Sequence, residues 1–416
     1  MGQRILTIRS IMFELNETQR LVEQAMRQWC TKELQPLVAE LEAGRTLPFG
    51  LLNRLGNEIG VSAPLVAMAE KRIAALRSKD SEKNTSSASE SIGGGFGEDP
   101  MLTSVLLKEL GRVSPGFALS FISTLGCGMA ILSSDSVETI ERYAVPVLKF
   151  DKIGCWALTE PEAGSDAFGG MRTTAVVDGD ELVINGQKIF ITNAPHADVF
   201  AVYARVRSDD GERVQAVVVE RGNAGLETGP PMAKLGVRDS PTAEVFLNDC
   251  RVPLRNLVGR LGGSGSRRGG AALGTLNLER AVMPAICLGI IERCVEESVS
   301  YAGVRKQFGR TIGEFQGVAF KLARMELALE NARNLVLKLA WAQRKGKFDA
   351  RLASIAKLYC AEEATRTALE AIQIHGGAGY MSELPFEKLM RDAKLFEIGG
   401  GTNEIQLQTI ARCILR

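Results

Sequence analysis

Histidine is almost absent from this chain: among 416 residues only His196 and His375 occur, too few for a multi-histidine metal centre. The eight cysteines, Cys30, Cys127, Cys155, Cys250, Cys287, Cys294, Cys360 and Cys413, are scattered and form no CxxC pair. They read as buried thiols of a reducing compartment, not as a disulfide frame or a zinc site. Charge of one sign is also lacking. With 50 Lys+Arg against 49 Asp+Glu the formal net charge is +1, which offers no general attraction to nucleic acid or to an anionic membrane, so a polyanionic ligand must be met by local positive charge. No run approaches the ~20 consecutive apolar residues that span a bilayer. The N-terminus carries Arg4 and Arg9 without a signal peptide's apolar core. Met1 to Ile11 reads as a tail or start-site artefact, and the expectation is a soluble, metal-free, cytoplasmic protein.

What is present is globular: 45% hydrophobic and 24% charged residues, enough for two or three packed domains. Asn16-Glu17-Thr18-Gln19 has the form of a helix start, with Asn16 as cap and Gln19 placed to reach back. Apolar residues recur through Leu21, Ala25 and Trp29. The polar, glycine-ended stretch 77–97 has almost nothing to bury and is expected to be a flexible insertion. From Lys152 the texture changes to short β-branched runs, with Asp178-Gly179 and Asn185-Gly186 as hairpin signals. After a second glycine-rich patch at 259–270, Phe315, Val318, Leu322, Met325, Leu329, Ala332, Leu335 and Leu339 mark one helix face. Gly346 is its expected stop and Asp349 the cap of the next helix. The expected fold class is α+β: an N-terminal helical domain (12–150), a central antiparallel β-barrel or sandwich domain (151–260) and a C-terminal four-helix bundle (271–416). No GxGxxG follows a strand, which disfavours a Rossmann dinucleotide fold.

Two segments carry chemistry. In 156–166, read Trp-Ala-Leu-Thr-Glu-Pro-Glu-Ala-Gly-Ser-Asp, backbone N–H groups and the hydroxyls of Thr159 and Ser165 can approach a polar or phosphate-bearing edge, because Gly164 has no side chain to block it. In 185–193, Phe190 offers a ring wall and Thr192 a hydrogen-bonding group. Taken singly, each could be an ordinary strand-to-loop turn. Together they resemble the flavin-binding strands of the acyl-CoA dehydrogenase family.

Further matches follow in family order. Arg305 to Gln316 resembles the RxxFGxxIxxFQ segment, Gln373 to Tyr380 the QxxGGxGY loop, Arg391 to Ile405 the RDAK…GT(S/N)EI signature, and Leu276 to Arg280 the LDxER start of a bundle helix. The resemblance implies FAD, held by Trp156, Leu158, Thr159, Gly164, Ser165, Phe190, Ile191 and Thr192. It also implies that Arg305, Gln307, Phe308, Gln316, Gln373, Gly376, Gly377, Thr402 and Glu404 contribute to cofactor binding, with Arg305 and Phe308 reaching a neighbouring subunit's flavin. For the substrate, an acyl-CoA, it points to Ser165, Asn277, Arg280, Gly399 and Gly401, and for the assembly to a homo-oligomer, in the family a tetramer. Without the resemblance, Arg305 and Arg310 would pass for solvated charge, and the glycine loops for helix terminators.

The implied reaction removes the α-proton of an acyl thioester by a carboxylate while the β-hydride passes to the flavin and then to an electron-transfer flavoprotein. The α-proton is weakly acidic, so the carbonyl must be polarised, in the family partly by the backbone N–H at the position of Gly400. Most members carry the basic glutamate at that same position, where a glycine can supply no base. A smaller branch, including the isovaleryl-CoA and long-chain enzymes, carries it in the LDxER segment, where Glu279 stands. Alone, Glu279 would read as an acidic residue near a helix start; with Gly400 leaving the usual position of the base empty, the resemblance makes Glu279 the catalytic candidate, and Glu397, a weaker one, is expected to point elsewhere. Gly399 matches the small residue of the isovaleryl branch and favours branched or bulky acyl groups. Asn277 replaces an aspartate and Phe190 a common tryptophan. Other readings of the same fold are dehydrogenation or oxidation of a carrier-bound acyl or aminoacyl group, and a flavin-holding subunit without turnover. A nucleic-acid arm around Arg267 and Arg268 would need more charge and interleaved aromatics.

Overall fold

A computed structural model describes residues 14–79, 99–209, 211–261, 270–346 and 348–415, the side chains of 270–278 excepted. Helix α1 (Glu17–Trp29) begins with the capping box expected from sequence. Asn16 Oδ1 accepts from the Gln19 backbone N–H at 2.9 Å and Gln19 Oε1 accepts from the Asn16 N–H at 2.9 Å. Helices α2 (Phe49–Glu58) and α3 (Ser62–Lys79) follow. Part of the expected insertion, 77–79, completes α3 instead, since Leu76 is buried and Arg77 pairs with Glu141 at 2.7 Å; residues 80–97 lie outside the described residues. In α4 (Pro100–Val113) and α5 (Pro115–Leu132) a capping side chain, Asp99 or Ser114, precedes a proline in the first turn. The apolar α5, of mean hydropathy 1.6 and long enough to pass for a membrane span, has 89% of its residues buried within the protein. It is a core helix packed on α4 and on the first strand.

The sheet contains β1 (Gly154–Ala157), β2 (Thr174–Asp178), β3 (Glu181–Thr192), β4 (Val199–Ser208), β5 (Gly211–Glu220), β6 (Leu226–Thr228) and β7 (Thr242–Pro253). Its order is β1-β4-β2-β3-β7-β6, with β5 added to β4. Pairs β2–β3, β3–β7, β4–β5 and β6–β7 are antiparallel. The exceptions to the antiparallel expectation are β1 and β2, which lie parallel along β4, at Val199–Val202 and Arg205–Arg207. The Asp178-Gly179 signal is a hairpin turn between β2 and β3. The Asn185-Gly186 signal is not a turn. It lies inside β3 at a register shift, because a Cβ at Gly186 would stand 2.7 Å from Thr173 Cα, so the glycine answers a close backbone approach.

Gly270–Val304 forms α6, Gln316–Arg344 α7, Ala350–His375 α8, Phe386–Phe396 α9 and Asn403–Ile414 α10. Gly346 follows α7 at φ +69°, and Asp349 Oδ1 caps α8 by accepting from Leu352 N at 3.0 Å. Helix α8 packs against α6, α7, α9 and α10. One core joins the N-terminal and C-terminal helices, and a second fills the sheet. Seven cysteines are buried, but Cys413 is exposed near the end of α10, where little of the chain packs over it.

The helices and the sheet meet at a buried ionic clasp. Lys388 Nζ lies 3.1 Å from Asp239 and 2.5 Å from Asp392. Asp392 Oδ1 also accepts from Val237 N at 2.5 Å, Ser114 donates to Asp239, and Arg391 binds Glu42 at 2.7 Å and the Leu235 carbonyl at 3.0 Å. Thus α9, the 235–240 loop of the sheet region and the N-terminal helices share one set of charges.

Candidate active site

The two segments singled out in the sequence lie together. The Ile189 N–H donates to the Thr159 carbonyl at 2.9 Å. Beneath them, Lys188 and Glu160 form a fully buried pair at 2.8 Å; Lys188 also donates to the Leu158 carbonyl at 3.1 Å, and Glu160 accepts the N–H groups of Arg172 and Thr173 at 2.6 and 2.9 Å. Burial works against the charged Glu160, but Lys188 and these donors outweigh it and hold the carboxyl below its ordinary range. The pair anchors the end of β1 to β3. Between Lys188 and Ile191 the register shifts, and Phe190 takes φ +59° and is 65% exposed. A β-bulge with a non-glycine residue in the left-handed region is a device for aiming a side chain outward.

Leu158 and Ile191 are buried and can present only backbone to a ligand. The hydroxyls of Thr159, Ser165 and Thr192 make no hydrogen bond among the described residues. The indole N–H of Trp156 is buried without a partner, its ring edge-on to Tyr203 at 5.5 Å. A Cβ at Gly164 would meet nothing within 4 Å. An exposed ring, unpaired hydroxyls and an orphaned indole donor fit a flat, polar-edged ligand.

At the other end of the chain, Gly399, Gly400 and Gly401 run from α9 to α10. The Gly399 N–H donates to the Leu395 carbonyl at 2.8 Å, Arg280 Nε to the Gly400 carbonyl at 3.3 Å and Gln406 Nε2 to the Gly401 carbonyl at 2.8 Å. Gly400 and Gly401 adopt φ +63° and +90°. The Gly400 N–H is bonded to no group among the described residues, so it is free to donate. Glu279, on α6, reaches the same spot: its carboxyl carbon lies 3.7 Å from where a Cβ on Gly400 would stand. Burial pushes its pKa up to about 7, against the pull of Arg280 and Lys357. Arg280 thus faces the glycine loop. The Asn277 side chain lies outside the described residues. Thr402 caps α10, accepting from Ile405 N at 3.3 Å, and Glu404 follows, exposed, in its first turn. Glu397 is engaged elsewhere, by Thr365 at 2.6 Å and Lys394 at 2.7 Å.

A third group is exposed. Arg305, Gln307, Phe308, Gln316, Gln373, Gly376 and Gly377 all face solvent. The short hairpin β8 (Lys306–Gln307) and β9 (Arg310–Thr311) packs on α6 and presents Phe308, 92% exposed at φ +51°. None of these residues hydrogen-bonds to β1 or β3 among the described residues.

The model of the acyl-CoA dehydrogenase middle domain matches residues 155–250, and that of the acyl-CoA dehydrogenase C-terminal domain residues 268–415. The chain belongs to the acyl-CoA dehydrogenase family. It is 35% identical over 407 residues to a short-chain-specific acyl-CoA dehydrogenase of Clostridium acetobutylicum, covering 97% of this chain and 100% of that one. The solved butyryl-CoA dehydrogenase of Megasphaera elsdenii superposes with a TM-score of 0.83 at 31% identity, covering 97% of this chain and 100% of that one. A chain in the structure described as the electron transferring flavoprotein of Acidaminococcus fermentans gives a TM-score of 0.83 at 31% identity, covering 97% and 99%.

Several residues that shape this acyl-CoA dehydrogenase site escaped the reading of the sequence. Lys188 and Glu160 sit inside the motifs that carry the ring and the hydroxyls, and their neighbours, Gly186-Gln187 before Lys188 and Pro161-Glu162 after Glu160, give no local sign of a buried pair. Lys357 is buried on α8, donates to Asn403 at 3.4 Å and is drawn down to about 8 by burial, against the pull of Cys287 and Glu279. Met283 lies four residues beyond Glu279, one helical turn along the same face.

Proposed function

We propose that this enzyme dehydrogenates a short-chain acyl-CoA at its α,β bond with FAD as cofactor and Glu279 as base. The observation that carries the reading is the meeting of the Glu279 carboxyl with the unpaired N–H of Gly400. In this mechanism the Gly400 N–H donates to the thioester carbonyl and stabilises enolate character, while Glu279, poised near neutral pH, takes the α-proton. Arg280 and Gln406 hold the glycine-loop carbonyls and so fix the direction of that donor. Phe190 and the Thr159, Ser165 and Thr192 hydroxyls would hold the flavin, the ring by apolar contact and the hydroxyls by hydrogen bonds. Bound FAD would supply the acceptor for the β-hydride.

The exposed Arg305, Gln307, Phe308, Gln373 and Gly376 fit a role on the cofactor of a neighbouring subunit, hence a homo-oligomer, a tetramer by the family resemblance. The likeness to a chain of an electron transferring flavoprotein structure supports such a protein as electron acceptor, and the scattered thiols support a cytoplasmic setting. The short-chain assignment rests on the clostridial and Megasphaera relatives.

Anaerobic titration of the flavoprotein with butyryl-, isovaleryl-, octanoyl- and palmitoyl-CoA tests the reading. The two short thioesters are expected to bleach the flavin; bleaching by palmitoyl-CoA alone would refute the short-chain assignment, and bleaching by none would refute the reaction. Replacing Phe190 with alanine is expected to weaken flavin binding by about 3–10-fold, the scale of one aromatic contact. Reconstitution of apoprotein with FAD, followed by fluorescence quenching, measures it.

A further inference from the structure

Gly400 and Glu279 converge on one point from two elements, and a third residue stands between the two ways of filling it. A Cβ built on Gly400 would lie 2.6 Å from Met283 Sδ and 3.2 Å from its Cε, well inside contact distance, whereas one on Gly399 would lie 3.9 Å from that Cε, an ordinary contact. Met283 is 3% exposed. It belongs to the core shared by the N-terminal and C-terminal helices, so its flexible end could yield to a new side chain only by displacing packed neighbours, not by turning out to solvent. The loop backbone at Gly400 is left-handed as well, which disfavours any L side chain there.

We propose that Met283 is a positioning residue that reserves the base for position 279: it closes the approach from position 400 and packs the Glu279 carboxyl against the glycine loop. The inference rests on the reading of Glu279 as base. A glutamate at 400 would have to pass through the volume of the thioether, while a glutamate at 279, one turn away on α6, reaches the same point beside it. The restriction is steric and local, so trimming Met283 opens the second route without touching the flavin strands.

The test moves the carboxylate. Glu279→Gly/Gly400→Glu is expected to reduce flavin with butyryl-CoA within about 3-fold of the Glu279→Gly background, and adding Met283→Ala to raise that rate at least ~10-fold, a modest part of what a placed base supplies. Met283→Leu in place of Met283→Ala keeps the bulk and is expected to leave the relocated base inactive. A doubly substituted enzyme already as fast as the triple one, or a flavin-retaining triple one no faster than the background, overturns the proposal. Met283→Ala alone supplies an independent readout: the midpoint of the kcat/KM–pH profile falls by at least ~0.5 unit as water reaches the carboxyl, and an unchanged midpoint overturns the proposal even where the triple variant loses its flavin. Full activity of Glu279→Gly would instead overturn the assignment of the base itself, so the two failures are distinct.

Discussion

Glu279→Gln is expected to abolish reduction of the flavin by acyl-CoA, slowing it by about 10³-fold or more, while flavin content and absorbance stay unchanged. General-base transfer typically contributes on the order of 10²–10⁴, and Gly400 at the alternative position brings no carboxylate to share the load. Stopped-flow single-turnover kinetics separates this from a loss of substrate affinity. With Glu279 as the proposed base the reactive species is the carboxylate, so kcat/KM is expected to rise with pH up to about 7, the value to which burial pushes Glu279, and to level above it. A group whose folded pKa stands above its unfolded value of 4.5 favours folding in its protonated form. That contribution is complete below pH 4.5 and lost as pH rises through about 7. At pH 8 the enzyme therefore holds a carboxylate that disfavours folding by on the order of 3 kcal/mol at most, and Glu279→Gln is expected to be inactive yet more stable there. A variant that retains rapid bleaching, or whose pH profile keeps its midpoint near 7, removes Glu279 from the role.

How much of this could be read beforehand depended on whether the cause was local. The Asn16 capping box, the Asp178-Gly179 hairpin and the Gly346–Asp349 junction are short-range hydrogen-bonding and backbone preferences, and the structure shows each. Asn185-Gly186 has the same local signature as a hairpin but is overruled by Thr173, the residue that leads into β2. The parallel placement of β1 and β2 along β4 is likewise decided by long-range pairing, and alternation of side chains within a strand carries no sign of it. In the site, Phe190 and the glycine loop stood out by residue type. Lys188, Met283 and Lys357 did not, because a buried lysine and a core methionine acquire meaning only from what faces them. The exposed Phe308 is the converse: its segment stood out by family resemblance, the hairpin that presents it appears only in the structure, and a single chain gives its ring no partner strand to cover it.

The largest loss of stability is expected from Lys388→Met. It would leave Asp239 and Asp392 facing each other, both fully buried as side chains, without the cation that lies 3.1 and 2.5 Å from them. Breaking a buried ion pair from one side typically costs about 3–5 kcal/mol, because the remaining charge keeps its desolvation penalty. Burial already pushes Asp392 up to about 6 against the pull of Lys388. Without that lysine Asp392 loses the partner that opposes its burial and is expected to take up a proton more readily, so the deficit shrinks as pH falls from 7 towards 5. Adding Asp239→Asn and Asp392→Asn to Lys388→Met removes the orphaned charges and should recover part of the loss at neutral pH. Urea unfolding followed by tryptophan fluorescence at both pH values measures this, and a loss below ~1 kcal/mol at pH 7 would show the clasp to be dispensable. The consequence reaches the active site through a short path. Lys388 and Asp392 lie on α9, whose Leu395 carbonyl holds the Gly399 N–H at 2.8 Å, and the next residue presents the N–H proposed to polarise the thioester. Loosening α9 should therefore lower kcat more than it raises KM, since a misdirected Gly400 N–H weakens an interaction needed mainly as negative charge develops on the thioester oxygen.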